Sequence, residues 1–186
     1  MARLPDPTES LTPEAQAVYD QLVSRRGRID GMYRSLLHHP ELTRRVSDLG
    51  SFLRFGNGAL PAALRELTIL WVARRLGAAY EWVKHLEPAR QGGVGVEVIE
   101  AIRTGKEAAT NLDATQVAAL AVARCVLERR SIPPEVQDVL TARIGLPGVI
   151  ELVVLVGFYQ MIAGVIFAFD VPLPGNAVPP FGPDGA

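Results

Sequence analysis

Residues 148–169 form a nearly unbroken apolar run, about as long as the ~20 residues that a helix needs to cross a bilayer. Such a run has few destinations: a membrane, the middle of a helical core, or a contact between subunits. Glu151 and Gln160 interrupt it, and a charged group within a span is costly. Its flanks, Arg143 before and Asp170 after, lack the basic cluster that orients a span. Burial as a helix, not membrane insertion, is the expectation. It requires other amphipathic helices to close around the run.

The rest of the chain supplies them. Leu42, Val46, Leu49 and Leu53 share one stripe of a helix over 40–55, which Gly56-Asn57-Gly58 ends in a turn. Leu60, Leu64, Leu67 and Trp71 recur at steps of four, three and four, with Pro61 in the first turn and Gly77 as the stop. Thr12-Pro13-Glu14 reads as a cap opening a helix to Gly27, with Arg25 and Arg26 in its last turn. A short helix over 31–39 is halted by Pro40, one over 96–103 stops before Gly105, and Asp113 caps one over 114–130. A further helix runs to Ile144 and stops at Gly145, and Pro88 should kink the helix that holds it. With 186 residues, 48% hydrophobic but only six Phe, four Tyr and two Trp, the core expected is aliphatic and all-α. The organisation predicted is an extended arm over 1–11, one helical domain over 12–170, and a proline-rich tail over 171–186 lying on a neighbour or in solvent.

Charge and cysteine usage narrow the function. A formal net charge of −1 makes no electrostatic case for nucleic acid or an anionic membrane. Cys125 is the single cysteine, so no internal disulfide and no cysteine-based metal site is available. The opening M-A-R-L-P-D-P lacks the apolar core of a signal peptide, and a cytoplasmic protein without metal or cofactor is expected. His38-His39-Pro40 reads as a cap or surface feature, because adjacent side chains on a helix diverge.

The chemistry concentrates between Glu66 and His85. Around Glu66 the helical neighbours Ala62, Ala63, Ile69, Leu70 and Ala73 are all apolar, so this carboxylate projects from a greasy face. Glu81 and His85 lie four apart on the following helix and share a face. Packed antiparallel, the two helices would bring Glu66 to Glu81 and His85, a cluster able to hold and move a proton near neutral pH. In that arrangement Glu81 should favour the imidazolium and raise the histidine's pKa. Tyr80 and Trp82 are candidates for the pocket wall, and Arg54 and Arg65 for binding an acidic substrate.

The run R-E-L-x-I-L-x-V-A, followed by Y-E-W-x-x-H and A-x-x-x-G, resembles the carboxymuconolactone decarboxylase family, which includes alkylhydroperoxidase D. The resemblance covers roughly Leu49 to Phe169, and E-L-V-x-L-x-G-x-Y is similar to the family's last core helix. It implies an alkylhydroperoxidase D-like helical bundle in a ring-shaped homo-oligomer, a trimer or hexamer. In the peroxidase branch the pattern is E…C-x-x-C-x-x-x-H. Counted from Glu66, its cysteines fall on Ala78 and Glu81 and its histidine on His85. Neither Ala78 nor Glu81 can attack a peroxide or resolve a sulfenic acid. The Y-E-W-x-x-H form looks like the decarboxylase-type branch.

The function expected is therefore decarboxylation, or a related acid–base lyase step, on a small carboxylated ring or lactone. His85 would be the general acid/base, Glu81 its partner and Glu66 a buried relay. Glu151, inside the long apolar helix, would need a partner such as Arg54 or an arginine of a neighbouring subunit. A thiol peroxidase and a non-catalytic oligomeric binding protein are the alternatives.

Overall fold

The computed structural model describes residues 4–27, 29, 31–106, 111–175 and 177–182. Among them glycine and proline divide the chain into eight α-helices and one 3₁₀ turn, with no strand. After the turn at Pro7–Glu9 come α1 (Pro13–Arg26), α2 (Gly31–Leu36), α3 (Pro40–Phe55) and α4 (Ala62–Arg75). Then follow α5 (Ala79–Gln91), α6 (Val96–Thr104), α7 (Ala114–Leu127) and α8 (Pro134–Ala168). The expected all-α class holds.

The local reasons are legible at most helix ends. Thr12 accepts from the Ala15 amide with Pro13 just inside α1, and Asp113 forms a reciprocal capping box with Gln116 on α7. His39 caps α3 through the Leu42 amide, and His38 Nε2 meets the Pro5 carbonyl, so the histidine pair is structural. Pro88 stays within α5, which continues to Gln91. It lies near the helix end, where one missing N–H interrupts little. The helix over 114–130 ends early, at Leu127, and α2 ends at Leu36.

Helix α4 is the axis of the bundle and packs against α5, α6, α7 and α8. Every residue from Glu66 to Ala73 is buried. Each buried leucine there contributes roughly 1.5–3 kcal/mol. Helices α1 and α2 pack on α3, where Val18, Leu22 and Leu37 make a small separate core.

Helix α8 departs from helical backbone at Gly145 (φ 68, ψ 168), a conformation open essentially to glycine alone, so the stop expected there is a kink. The helix is long and apolar enough to cross a membrane, and half of its most apolar window is buried in the bundle. Leu152, Leu155 and Val156 point inward, while Ile150, Val154, Met161 and Phe167 are exposed. Glu151 corrects an expectation. Among the described residues it pairs with no arginine, and its two carboxyl oxygens accept from the amides of Ala59 and Leu60 at 3.0 and 3.1 Å. The described end of the tail packs on its own chain. Phe181 meets the edge of Trp82 at 5.2 Å, and Arg103 donates to the Pro180 carbonyl.

Candidate active site

Two helices and a sharp reversal build the site. Leu76 ends α4, Gly77 takes φ 65, and the Ala78 amide donates back to the Ala73 carbonyl, so α5 returns alongside α4. Glu66 on α4 and His85 on α5 then meet. His85 Nδ1 donates to Glu66 Oε2 at 2.7 Å. Glu66 Oε1 accepts from Arg65 Nε at 3.1 Å. Helix α8 supplies the third member: Tyr159 donates its hydroxyl to His85 Nε2 at 2.8 Å, with the two rings edge to face.

The protonation of this chain follows from its surroundings. Burial alone would raise Glu66, but the His85 hydrogen bond, the positive charge of Arg54 and the Arg65 hydrogen bond outweigh it. They hold it below the usual carboxylate range. For His85 burial dominates and lowers its pKa, the Glu66 bond opposes it, and the charge of Arg54 adds to the lowering. The imidazole is therefore neutral at pH 7, with its hydrogen on Nδ1 and a bare Nε2. Burial pushes Tyr159 well above the ordinary tyrosine range, so the phenol keeps its proton. The sequence-based expectation of a raised histidine pKa is reversed.

Glu81 does not pair with His85, whose nitrogens are both engaged elsewhere. It is 3% exposed, no other described residue hydrogen-bonds to either carboxyl oxygen, and burial pushes it up to about 8. Helix geometry places the two residues on one face without making their polar atoms meet.

Glu81, His85 and Tyr159 line one cavity of about 370 Å³, at the small end of the ~300–1,000 Å³ typical of ligand sites. Tyr33 and Phe158 supply aromatic wall, and Arg54 and Lys84 supply positive charge. Tyr80 also lines it, as expected of a wall residue. Trp82 and Arg65 do not. Trp82 faces the core under Phe181, and Arg65 is spent on Glu66. Arg54 reaches the cavity with a buried Nε that has no hydrogen-bond partner. The sequence alone gives Tyr159 no role, since nothing in an apolar helix distinguishes a tyrosine that caps a histidine from one that fills space. Its place in E-L-V-x-L-x-G-x-Y was the available signal.

Residues 40–124 match the carboxymuconolactone decarboxylase family, and that segment holds α3, the α4–α5 pair and the glutamate and histidine at their expected spacing. Over that segment the chain is similar to the carboxymuconolactone decarboxylase family. Solved structures agree on the fold. An uncharacterized peroxidase-related protein from Silicibacter sp. TM1040 superposes with a TM-score of 0.78 at 19% identity, over 94% of this chain and 92% of that one. The alkylhydroperoxidase AhpD core of an uncharacterized peroxidase-related protein from Ralstonia eutropha JMP134 gives 0.78 at 15% identity, over 94% and 93%. A cysteine-to-alanine variant of the debrominase Bmp8, in complex with 2,3,4-tribromopyrrole, gives 0.70 at 16% identity, over 94% and 91%. No curated protein matches the chain. The long apolar helix contributes Phe158, Tyr159 and Ile162 to the cavity wall, and Cys125, buried on α7, does not line the cavity.

Proposed function

We propose that the protein is a cofactor-independent acid–base enzyme of the decarboxylase or lyase kind, acting on a small acidic ring or lactone as a cytoplasmic homo-oligomer. The observation that carries this is the chain Glu66–His85–Tyr159 ending at a cavity wall. In its resting protonation this chain accepts a proton and has none to release, because Nε2 is bare. A proton leaving an acidic C–H or hydroxyl of the substrate passes to the Tyr159 oxygen as the Tyr159 hydrogen passes to Nε2. The imidazolium so formed is balanced by ionised Glu66. The reverse transfer places the proton on the carbanion or dienolate left when a carboxylate departs as CO2, and the one further proton the product needs comes from solvent water. His85 therefore acts as the general acid/base through Tyr159.

Ala78 and Glu81 at the cysteine positions argue against dithiol peroxidase chemistry. The small ring in the debrominase of this fold supports a ring-sized ligand. The test is a screen of carboxyl-labelled lactone and keto acids for released CO2. Turnover by the wild type should fall on the order of 10²–10⁴-fold in His85→Gln, with helicity unchanged. A ligand bound tightly and never turned over would favour the binding-protein alternative. Equal rates in wild type and His85→Gln would remove the mechanism.

A further inference from the structure

The proton relay leaves two groups of the same cavity unused. Glu81, in the first turn of α5, has both carboxyl oxygens buried and unanswered by any other described residue. Burial without a partner disfavours the ionised form, so at neutral pH this side chain is a carboxylic acid with one O–H to give. On α3, Arg54 brings a guanidinium that lies 4.8 Å over the Phe55 ring and whose buried Nε also lacks an acceptor. A carboxylic acid with no partner from another described residue and a guanidinium with one unanswered N–H thus line one space of about 370 Å³. Tyr159 stands within electrostatic reach of both, since Arg54 lowers and Glu81 raises its pKa. Gly50 lines the same cavity, and a Cβ there would come within 2.9 Å of the Phe158 ring and 3.0 Å of the Tyr33 hydroxyl, so a larger residue would crowd this wall.

Buried polar atoms without partners are uncommon in folded proteins, and here both residues that carry them line one cavity. We propose that Glu81 acts on the ligand as a neutral carboxylic acid, donating its O–H to a carbonyl oxygen while Arg54 holds an anionic group at the other end. The site then selects a small oxo acid over the acid or the ketone alone. This deepens the acid–base reading above and rests on it for the reaction step. As a carboxylate leaves as CO2, its bonding pair moves into the carbonyl and charge grows on the oxygen that Glu81 faces. The Glu81 O–H breaks as the enol O–H forms. When a proton drawn from solvent water through the relay reaches carbon, the enol returns its own to the Glu81 carboxylate and the ketone is restored.

The other ionisable groups around Glu81 are known. Its own helix contributes Tyr80, Lys84 and His85, and α8 contributes Tyr159. Across the cavity stand Tyr33, Arg54 and Arg25, the last paired with Asp48, while Glu66 lies behind His85. The replacement Glu81→Gln separates their titration from that of Glu81.

The probe is 3-oxocyclopentane-1-carboxylate, which has no labile carboxylate, with cyclopentanecarboxylate and 3-oxocyclopentane-1-carboxamide as controls. Binding to the full chain is followed by NMR titration. At pH 6.5 the oxo acid should bind about tenfold or more tightly than either control. Its affinity should drop about 30-fold by pH 9.5 as Glu81 ionises. Glu81→Gln, whose amide still donates, should keep the affinity and lose the pH dependence. Arg54→Gln should bind oxo acid and amide alike. Equal affinity for all three probes, no binding at pH 6.5, or an undiminished pH dependence in Glu81→Gln would each overturn the proposal. Should Glu81→Gln not fold, the carboxyl carbon of Glu81 in the wild type reports the same proton, and its ionisation below pH 6 would be equally fatal. None of these readouts needs turnover, so preserved selectivity without CO2 release would sink the proposed function alone.

Discussion

Glu81 is buried with no other described residue hydrogen-bonded to either oxygen, and burial pushes its pKa up to about 8. The consequence for stability has a definite sign. A carboxyl whose folded pKa lies above its unfolded one binds its proton more tightly in the fold. Its effect is neutral below about pH 4.5 and increasingly destabilising from there to about 8, then level. Glu81→Gln should therefore match the wild type near pH 5 and exceed it by on the order of 3 kcal/mol at pH 8. Guanidinium unfolding at several pH values reads this difference, and parallel curves for the two proteins would mean that Glu81 is ionised or partnered. Tyr159→Phe probes the opposite case. It strips the donor from a buried His85 Nε2 and should cost about 1–3 kcal/mol, with turnover falling as in His85→Gln. A phenylalanine variant with wild-type rates would show that His85 reaches substrate without the phenol.

At the scale of elements, Glu151 ties the start of the α4 segment to α8. Its carboxylate takes the Ala59 and Leu60 amides, a charge-assisted pair made across 91 residues or more of chain. Gly58 makes room for it, since a Cβ there would stand 2.5 Å from Glu151 Oε2. Glu151→Ala should cost about 1.5–3 kcal/mol. Gly58→Ala should cost less in that background than in the wild type, because both changes disturb one contact. A double-mutant cycle by urea denaturation measures this, and strict additivity would deny the contact. The expected arginine partner was a reasonable inference from charge alone. The turn before α4 offered backbone donors instead, which no periodicity reveals.

For the whole molecule, the apolar surface left to cover lies along α8 and α3. Ile150, Val154, Met161 and Phe167 on α8, with Leu42, Phe52 and Phe55 on α3, leave apolar side chains exposed on two helices that pack together. Exposed apolar side chains on packed helices suit a contact between subunits. A trimer or hexamer is expected by light scattering at micromolar concentration, and a stable monomer would contradict it. Cys125→Ser should leave activity intact, since the thiol lies outside the cavity and has no second cysteine to resolve it. Peroxide-dependent turnover lost in that variant would restore the thiol reading.

Helix content, the Thr12 and Asp113 caps, the span of α3, the reversal at Gly77 and the meeting of Glu66 with His85 were all legible in the sequence. Each depends on spacing of 3.6 residues per turn or on backbone chemistry confined to a few neighbouring residues. The partners of buried polar atoms were not legible. Tyr159 is brought to His85 from 74 positions away, Glu151 to the amides of Ala59 and Leu60, and Arg65 to Glu66 and away from the cavity. Glu81 shares a helix face with His85, yet ends alone because Glu66 and Tyr159 reach the imidazole first. Local pattern chooses which residues turn inward. Only the packing of one helix on another decides which hydrogen bond each inward-facing group can make, and hence which of two neighbouring glutamates is ionised and which keeps its proton.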